Sequence, residues 1–180
     1  FPIPIDFLHQ QIAVVLDDIG AHCIKTGMLH DAAVIETVVA ALEAHAPGVP
    51  LVVDPVMVAK GGASLLVDEA VETLRTRLVP RATVLTPNVP EAEALAGRTV
   101  SGDGDMDALG EALLALGPQA VLLKGGHMDG RVVRDRLVTA AGIRIFENPR
   151  IDTMHTHGTG CTLASAIAAG LAQGLTLEDA

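Results

Sequence analysis

A glycine-rich segment, residues 156–162, combines residue types and spacing that could do chemistry. It reads Thr-His-Gly-Thr-Gly-Cys-Thr and leads into residues 163–172, whose Ala and Leu content is typical of a buried helix. Glycines let backbone N–H groups converge, and a helix start adds unpaired amides and a favourable dipole. We therefore expect an anion-binding loop, with Cys161 in the first helical turn, where the thiolate form is favoured. The alternative is a glycine turn beside a small buried cysteine.

Polar residues also follow several predicted buried strands. Asp54 ends the β-branched run at 51–53, Asn88 and Glu91 follow the strand at 83–86, and Lys124 closes the strand at 120–124. Because ligands bind at the carboxyl ends of parallel strands, these residues are expected at one site.

Each of these residues has a chemical and a structural interpretation. Asp54 could hold a metal or a hydroxyl proton, or cap the following turn. Glu91 could hold Mg²⁺, or close a capping box with Asn88. For Lys124, an ammonium at the end of an apolar strand, contact with a phosphate is favoured over extension into solvent.

Together these parts suit phosphoryl transfer, in which positioning and charge stabilisation supply most of the catalysis. The sequence contains no Walker A, HExxH or GxSxG motif, which argues against P-loop, zinc-protease and serine-hydrolase chemistry.

Strands and helices alternate along most of the chain, which predicts an α/β sandwich with a mostly parallel sheet flanked by helices. An alternating pattern at 132–146 predicts a small antiparallel hairpin at one edge of that sheet. Residues 97–105 are polar and predict a loop. We expect helices at 5–19, 32–45 with Asp31 as its cap, 67–77, 91–95, 105–116 and 163–172, and strands at 22–27, 51–53, 83–86 and 120–124.

Composition restricts the class of protein. The 180 residues are 49% hydrophobic and 19% charged, as expected for one globular domain with a substantial core. A net charge of −10, without a basic cluster, Trp or Tyr, argues against nucleic acid as a partner. The apolar runs are too short to span a membrane. Cys23 and Cys161 lack CxxC companions, which argues against a disulfide framework and favours a cytoplasmic protein.

Five motifs occur in order: residues 26–29, 53–60, 85–92, 123–127 and 156–162. With them the chain resembles, over essentially its whole length, the hydroxymethylpyrimidine/phosphomethylpyrimidine kinases of thiamine biosynthesis, in the ribokinase-like superfamily. Cys161 is the most discriminating residue, since sugar kinases of this superfamily usually carry Asp there. Members of the family are longer, so residues 1–180 are expected to form a single kinase domain that lacks N- and C-terminal portions.

The resemblance implies a ribokinase-like three-layer sandwich and phosphorylation, with ATP and Mg²⁺, of 4-amino-5-hydroxymethyl-2-methylpyrimidine and then of its monophosphate. Cys161 would lie beside the acceptor hydroxymethyl group, as a base or a positioning group. The resemblance implies an anion hole at Gly158, Thr159, Gly160 and Cys161. It implies phosphate or nucleotide binding by Lys124, Asn88, Glu91 and Thr159, and metal binding by Glu91 and Asp54. It also implies a pyrimidine pocket at Met28, Val56 and Cys161.

Two alternatives remain open. A pyridoxal or pyridoxine kinase of the same superfamily would use a similar site, because the residues alone do not separate two small heteroaromatic alcohols. A non-catalytic nucleotide-binding module is the other, motivated by the portions of the family that this chain lacks. The superfamily also implies a possible homodimer.

Overall fold

The computed structural model describes residues 3–57, 68–153 and 158–180. Its six strands form one sheet in the order in which they follow along the chain. The first four strands are parallel, and the last two add antiparallel at one edge. The strands are β1 (Ile24–Thr26), β2 (Leu51–Val53), β3 (Val84–Leu85), β4 (Ala120–Leu123), β5 (Val132–Thr139) and β6 (Gly142–Pro149). The α/β class, the mostly parallel sheet and the edge hairpin are thus confirmed.

The helices lie where the sequence places them, with small shifts at their ends. They are α1 (Ile5–Asp18), α2 (Ala32–His45), α3 (Asp68–Thr73), α4 (Val89–Ala96), α5 (Met106–Leu114) and α6 (Thr159–Ala172). Asp31 caps α2 as predicted, accepting a hydrogen bond of 2.9 Å from Val34 N–H. Helix α4 begins two residues before the predicted 91–95, because Asn88 forms its N-cap. The polar loop at 97–105 contains one short 3₁₀ turn, Asp103–Asp105.

The helix predicted at 67–77 changes its hydrogen bonding midway. Its α-helical part ends at Thr73 and continues as a π-turn, Leu74–Leu78, and a 3₁₀ turn, Val79–Arg81. The hydroxyl groups of Thr73 and Thr76 in this segment donate to backbone carbonyls four residues earlier, at 2.9 and 2.7 Å. Pro80 then cannot donate a backbone hydrogen bond.

The two faces of the sheet are covered unequally in the described chain. Helices α2 to α5 pack on one face around the larger apolar core, and α1 packs against α2. The other face carries α6 over a smaller cluster of Val52, Val84, Ala164, Ile167 and Ala168. We call this second surface the α6 face. No helix among the described residues has the length and apolar character needed to cross a membrane.

Candidate active site

Strand alternation brings four polar residues to one place on the α6 face. Side chains along a strand point alternately to the two faces, so residues two apart share a face. Four residues in or next to β1–β4 belong to the α6 cluster or pack against it. Each of them is followed, two positions later, by a polar residue. The pairs are Cys23 and Lys25, Val52 and Asp54, Val84 and Thr86, and Leu122 and Lys124. The polar member of each pair therefore lies on the α6 face, toward the carboxyl end of its strand.

Asp54 is the centre of this group. Its residue exposure is 2%, and its Oδ1 lies 3.2 Å from Lys124 Nζ and accepts a hydrogen bond of 3.3 Å from Thr86 Oγ1. Its Oδ2 lies 3.7 Å from Nζ of Lys25. The side chains of Lys25 and Lys124 are only 20% and 14% exposed. One buried carboxylate thus holds two largely buried ammonium groups, and the group carries a net positive charge.

The start of α6 lies beside this charged group. Gly158 is the N-cap, with a left-handed φ of 80° that favours glycine. Thr162 N–H donates to Gly158 O at 2.9 Å, so the N–H groups of Gly160 and Cys161 precede the helical ladder. A Cβ at position 160 would lie 3.1 Å from Lys124 Nζ. The fold therefore brings the lysine ammonium and the first-turn amides together. Residues 154–157 lie outside the described chain.

Cys161 is exposed, with a free thiol in the first turn of α6. The alternative of a small buried cysteine is wrong for this residue. Cys23, in contrast, is half-buried against the α6 cluster, and burial raises the pKa of its thiol. Cys23 is therefore a packing residue, and Cys161 is the accessible thiol.

Asn88 and Glu91 form the capping box of α4. Asn88 Oδ1 accepts from Glu91 N–H at 3.0 Å, and Glu91 Oε2 accepts from Asn88 N–H at 2.9 Å. Asn88 also forms a parallel bridge with Lys124, and Lys124 N–H donates to Pro87 O at 2.9 Å. The capping interpretation is confirmed. The backbone of residues 87 and 88, just before Glu91, pairs with the backbone of Lys124.

The ligands that the expected Mg²⁺ requires can be compared with the carboxylate oxygens of Glu91 and Asp54. Mg²⁺ in phosphoryl-transfer sites takes one or two carboxylates together with phosphate oxygens and water. The capping box uses one oxygen of Glu91 and leaves Oε1 for such a role, whereas both oxygens of Asp54 face ammonium groups. The described residues contain no group of three or more His, Cys, Asp or Glu side chains that could hold a metal without phosphate. Metal binding by Glu91 and by Asp54 stays a prediction.

The turn after Lys124 is held by contacts that the sequence did not indicate. Gly125 N–H donates to Asp135 Oδ1 at 2.8 Å, and a Cβ at Gly125 would lie 2.0 Å from Arg134 O. Only glycine fits at that approach of two backbones. The guanidinium of Arg150 donates to the carbonyls of Gly126 at 3.0 Å, of Met128, and of Gly130 at 2.7 Å. Arg150 thereby ties this turn to the chain that leads to the glycine loop.

The two residues expected in a pyrimidine pocket follow β1 and β2. Met28 is 53% exposed, and Val56 is half-buried. Both leave the sheet at the edge that carries Lys25 and Asp54. Their contact with a substrate stays a prediction, and residues 58–60 of the second motif lie outside the described chain.

Lys25 is the charged site residue that sequence reasoning missed. The available signal was its spacing of two from the apolar Cys23, which matches the spacing of Asp54 from Val52. Because β1 has only three residues, its sequence alone does not show which side chains share a face of the sheet.

Comparison with known proteins shows the family. The family model for phosphomethylpyrimidine kinase matches residues 1–180. The chain is 46% identical over 178 residues to a hydroxymethylpyrimidine/phosphomethylpyrimidine kinase of Streptomyces coelicolor, covering 99% of this chain and 65% of that protein. A relative of the same name in Bacillus subtilis is 43% identical, and the match covers 99% of this chain and 66% of that protein. The chain thus spans about two thirds of the length of these curated relatives.

A solved structure gives the same family. The crystal structure of phosphomethylpyrimidine kinase from Clostridium difficile superposes with a TM-score of 0.86 at 38% identity, covering 98% of this chain and 71% of that one. The overall fold is therefore that of the ribokinase-like kinases, and the chain belongs to the phosphomethylpyrimidine kinase family.

Proposed function

We propose that the protein transfers the γ-phosphoryl group of ATP to 4-amino-5-hydroxymethyl-2-methylpyrimidine, and a second phosphoryl group to the resulting monophosphate, for thiamine biosynthesis. In the first step the hydroxymethyl oxygen forms a bond to the γ-phosphorus. The bond from that phosphorus to the bridging oxygen breaks, and ADP leaves with the electron pair. The hydroxyl proton passes to the Cys161 thiolate, or to solvent late in the step.

The observation that carries the proposal is the meeting of Lys124 Nζ with the first turn of α6, 3.1 Å from the Cβ position of Gly160. An ammonium and converging amides stabilise the negative charge of a phosphoryl group in transfer. In this proposal the amides of Gly158, Thr159, Gly160 and Cys161 surround that group, Lys124 neutralises it, and Thr159 adds a nucleotide contact.

Asn88 and Glu91 are proposed to organise the nucleotide phosphates and Mg²⁺. The remaining oxygen of Glu91 supports this role, because the capping box fixes the orientation of the side chain. When bound, Mg²⁺ would neutralise charge on the phosphates of ATP. Asp54 would support the same region by keeping the two ammonium groups in place, and Met28 and Val56 would contact the pyrimidine.

A second candidate function is phosphorylation of pyridoxal. The structure of an ADP complex of Bacillus subtilis pyridoxal kinase superposes with a TM-score of 0.90 at 34% identity, covering 99% of this chain and 66% of that one. Fold likeness thus extends to both kinds of kinase, whereas the family model and the sequence relatives support the pyrimidine.

The deciding experiment is a coupled assay for ADP release, with the full-length protein and three acceptors: the pyrimidine alcohol, its monophosphate and pyridoxal. We expect turnover with both pyrimidine compounds that stops when EDTA removes Mg²⁺. Preference for pyridoxal would replace the first candidate by the second. Turnover with none of the acceptors, despite ATP binding, would leave the non-catalytic nucleotide-binding module.

The proposal includes a cytoplasmic location and a homodimer. Two free cysteines fit a reducing compartment. Exposed apolar side chains on and before α1, namely Ile3, Phe7 and Val14, offer a surface for a second copy. Sedimentation at several protein concentrations tests the dimer.

A further inference from the structure

Lys25 has no role in the proposed transfer to the alcohol, although its position is unusual. It belongs to β1, and Lys124 directly follows β4, three strands away in the sheet. With strands about 4.8 Å apart, the two backbones are separated by roughly 14 Å. The side chains nevertheless converge, because each ammonium contacts a different oxygen of Asp54.

The charges at this place do not balance among the described residues. Two ammonium groups face one carboxylate, and Thr86 is neutral. Lys25 is mostly buried, so leaving its charge partly uncompensated is costly unless an anion binds. A Cβ at Gly27 would lie 3.2 Å from Lys25 Nζ, as one at Gly160 would lie 3.1 Å from Lys124 Nζ. Each ammonium thus lies beside a residue that has no side chain.

The two ammonium groups lie on opposite sides of Asp54. Lys124 lies next to the start of α6, where the phosphoryl group of the donor is proposed to bind. Lys25 lies on the far side, beside the chain that leaves β1 toward Met28. A neutral alcohol acceptor has no charge that would require a second ammonium there. An acceptor that already carries a phosphate group does.

We propose that Lys25 binds the phosphate group of the acceptor in the second phosphorylation, and so allows one site to accept both the alcohol and its monophosphate. This inference rests on the proposed function. In the second step an oxygen of the acceptor phosphate forms the bond to the γ-phosphorus of ATP, and ADP leaves with the electron pair of the broken bond. Lys25 offsets the repulsion between the two phosphate groups as they approach.

The test compares the two acceptors in wild type, Lys25→Met and Lys25→Arg, with kcat and KM measured at saturating ATP. In Lys25→Met, KM for the monophosphate should rise about tenfold to a hundredfold, the effect of one lost charge-assisted hydrogen bond. Kinetics with the alcohol, and KM for ATP, should stay close to wild type. Lys25→Arg keeps the charge and should recover much of the monophosphate binding.

Arg77→Met is the matched control, because it removes one positive charge from an exposed ion pair with Glu36. Both acceptors are assayed on the same preparation, so a loss of folded protein cancels in the ratio of the two kcat/KM values. An equal loss with both acceptors would overturn the proposal, since Lys25 would then act through Asp54. Wild-type kcat/KM with both acceptors in Lys25→Met would also overturn the proposal.

Failure of the proposed function gives a different result. If the wild type phosphorylates neither pyrimidine compound, calorimetric titration with inorganic phosphate still decides about Lys25. Weaker phosphate binding in Lys25→Met, with no change in Arg77→Met, would support an anion site at this lysine. Equal binding in all three proteins would refute it.

Discussion

Replacing Asp54 by Asn removes the negative charge that holds two ammonium groups at the carboxyl edge of the sheet. The amide has nearly the same volume as the carboxylate, so the change leaves the packing intact and isolates the charge. Lys25 and Lys124 would then lie close together with no counter-charge between them. We expect Asp54→Asn to destabilise the fold strongly, although it creates no cavity.

The magnitude follows from the contacts. At an effective dielectric constant near 20, charges 3.2 and 3.7 Å apart attract by about 5 and about 4.5 kcal/mol before desolvation is counted. Desolvation of three mostly buried groups offsets much of this. Breaking a buried pair by removing one partner typically costs about 3–5 kcal/mol, because an uncompensated charge stays behind. The amide oxygen can still accept one hydrogen bond, so we expect a loss of about 3 kcal/mol in the free energy of unfolding.

The assay is urea unfolding followed by far-ultraviolet circular dichroism, since the chain has no Trp or Tyr to report by fluorescence. Glu36→Gln is the control; it breaks an exposed pair with Arg77 and should cost less than about 1 kcal/mol. Adding Lys25→Met to Asp54→Asn should recover part of the loss, because it removes one of the two stranded charges. A loss no greater than that of Glu36→Gln, or a double variant less stable than the single one, would refute the charge argument.

Three further substitutions test the surroundings of this group. Cys161→Ala should lower kcat by about a hundredfold or more, the usual contribution of a proton-transfer group, with little change in KM for ATP; equal activity would remove the thiol from the mechanism. Gly125→Ala puts a Cβ 2.0 Å from Arg134 O and should cost about 1–3 kcal/mol or more in urea unfolding, and a wild-type midpoint would contradict the close approach. Gly160→Ala should weaken nucleotide binding in calorimetry, because the added methyl group would lie 3.1 Å from Lys124 Nζ and displace the ammonium. Unchanged nucleotide affinity in Gly160→Ala would show that Lys124 does not bind the nucleotide phosphates.

Local patterns were enough to predict most of the fold. The β-branched run at 51–53, the cap at Asp31 and the glycine before α6 each have a short-range physical cause, and the structure shows the elements that they predict. The end of α3 was missed because the change from α-helical to π bonding at Leu74 has no clear signature in the sequence.

The site was less predictable than the fold, because its geometry depends on contacts between distant strands. Asp54 and Lys124 were recognisable as strand-end residues, but their pairing requires β2 and β4 to lie two strands apart with matched ends. Lys25 stayed hidden since its three-residue strand shows no alternation of its own. The carbonyl contacts of Arg150 depend on the path of a loop, which no periodicity predicts.

The parity of the strands explains why the charged residues collect on the face that α6 covers. On the opposite face, the residues at the carboxyl ends of β1–β4 are uncharged: Thr26, Pro55, Pro87 and Gly125. A shift of one residue in any of these strands would turn its polar residue into the larger core, where burial without a partner is costly. The same parity places Lys25, Asp54 and Lys124 on the α6 face, where the start of α6 lies beside Lys124. The Lys124 ammonium, which a strand end holds in place, and the first-turn amides of α6 need little rearrangement when charge develops on a phosphoryl group. Such preorganisation is the largest contribution that a protein makes to this kind of transfer.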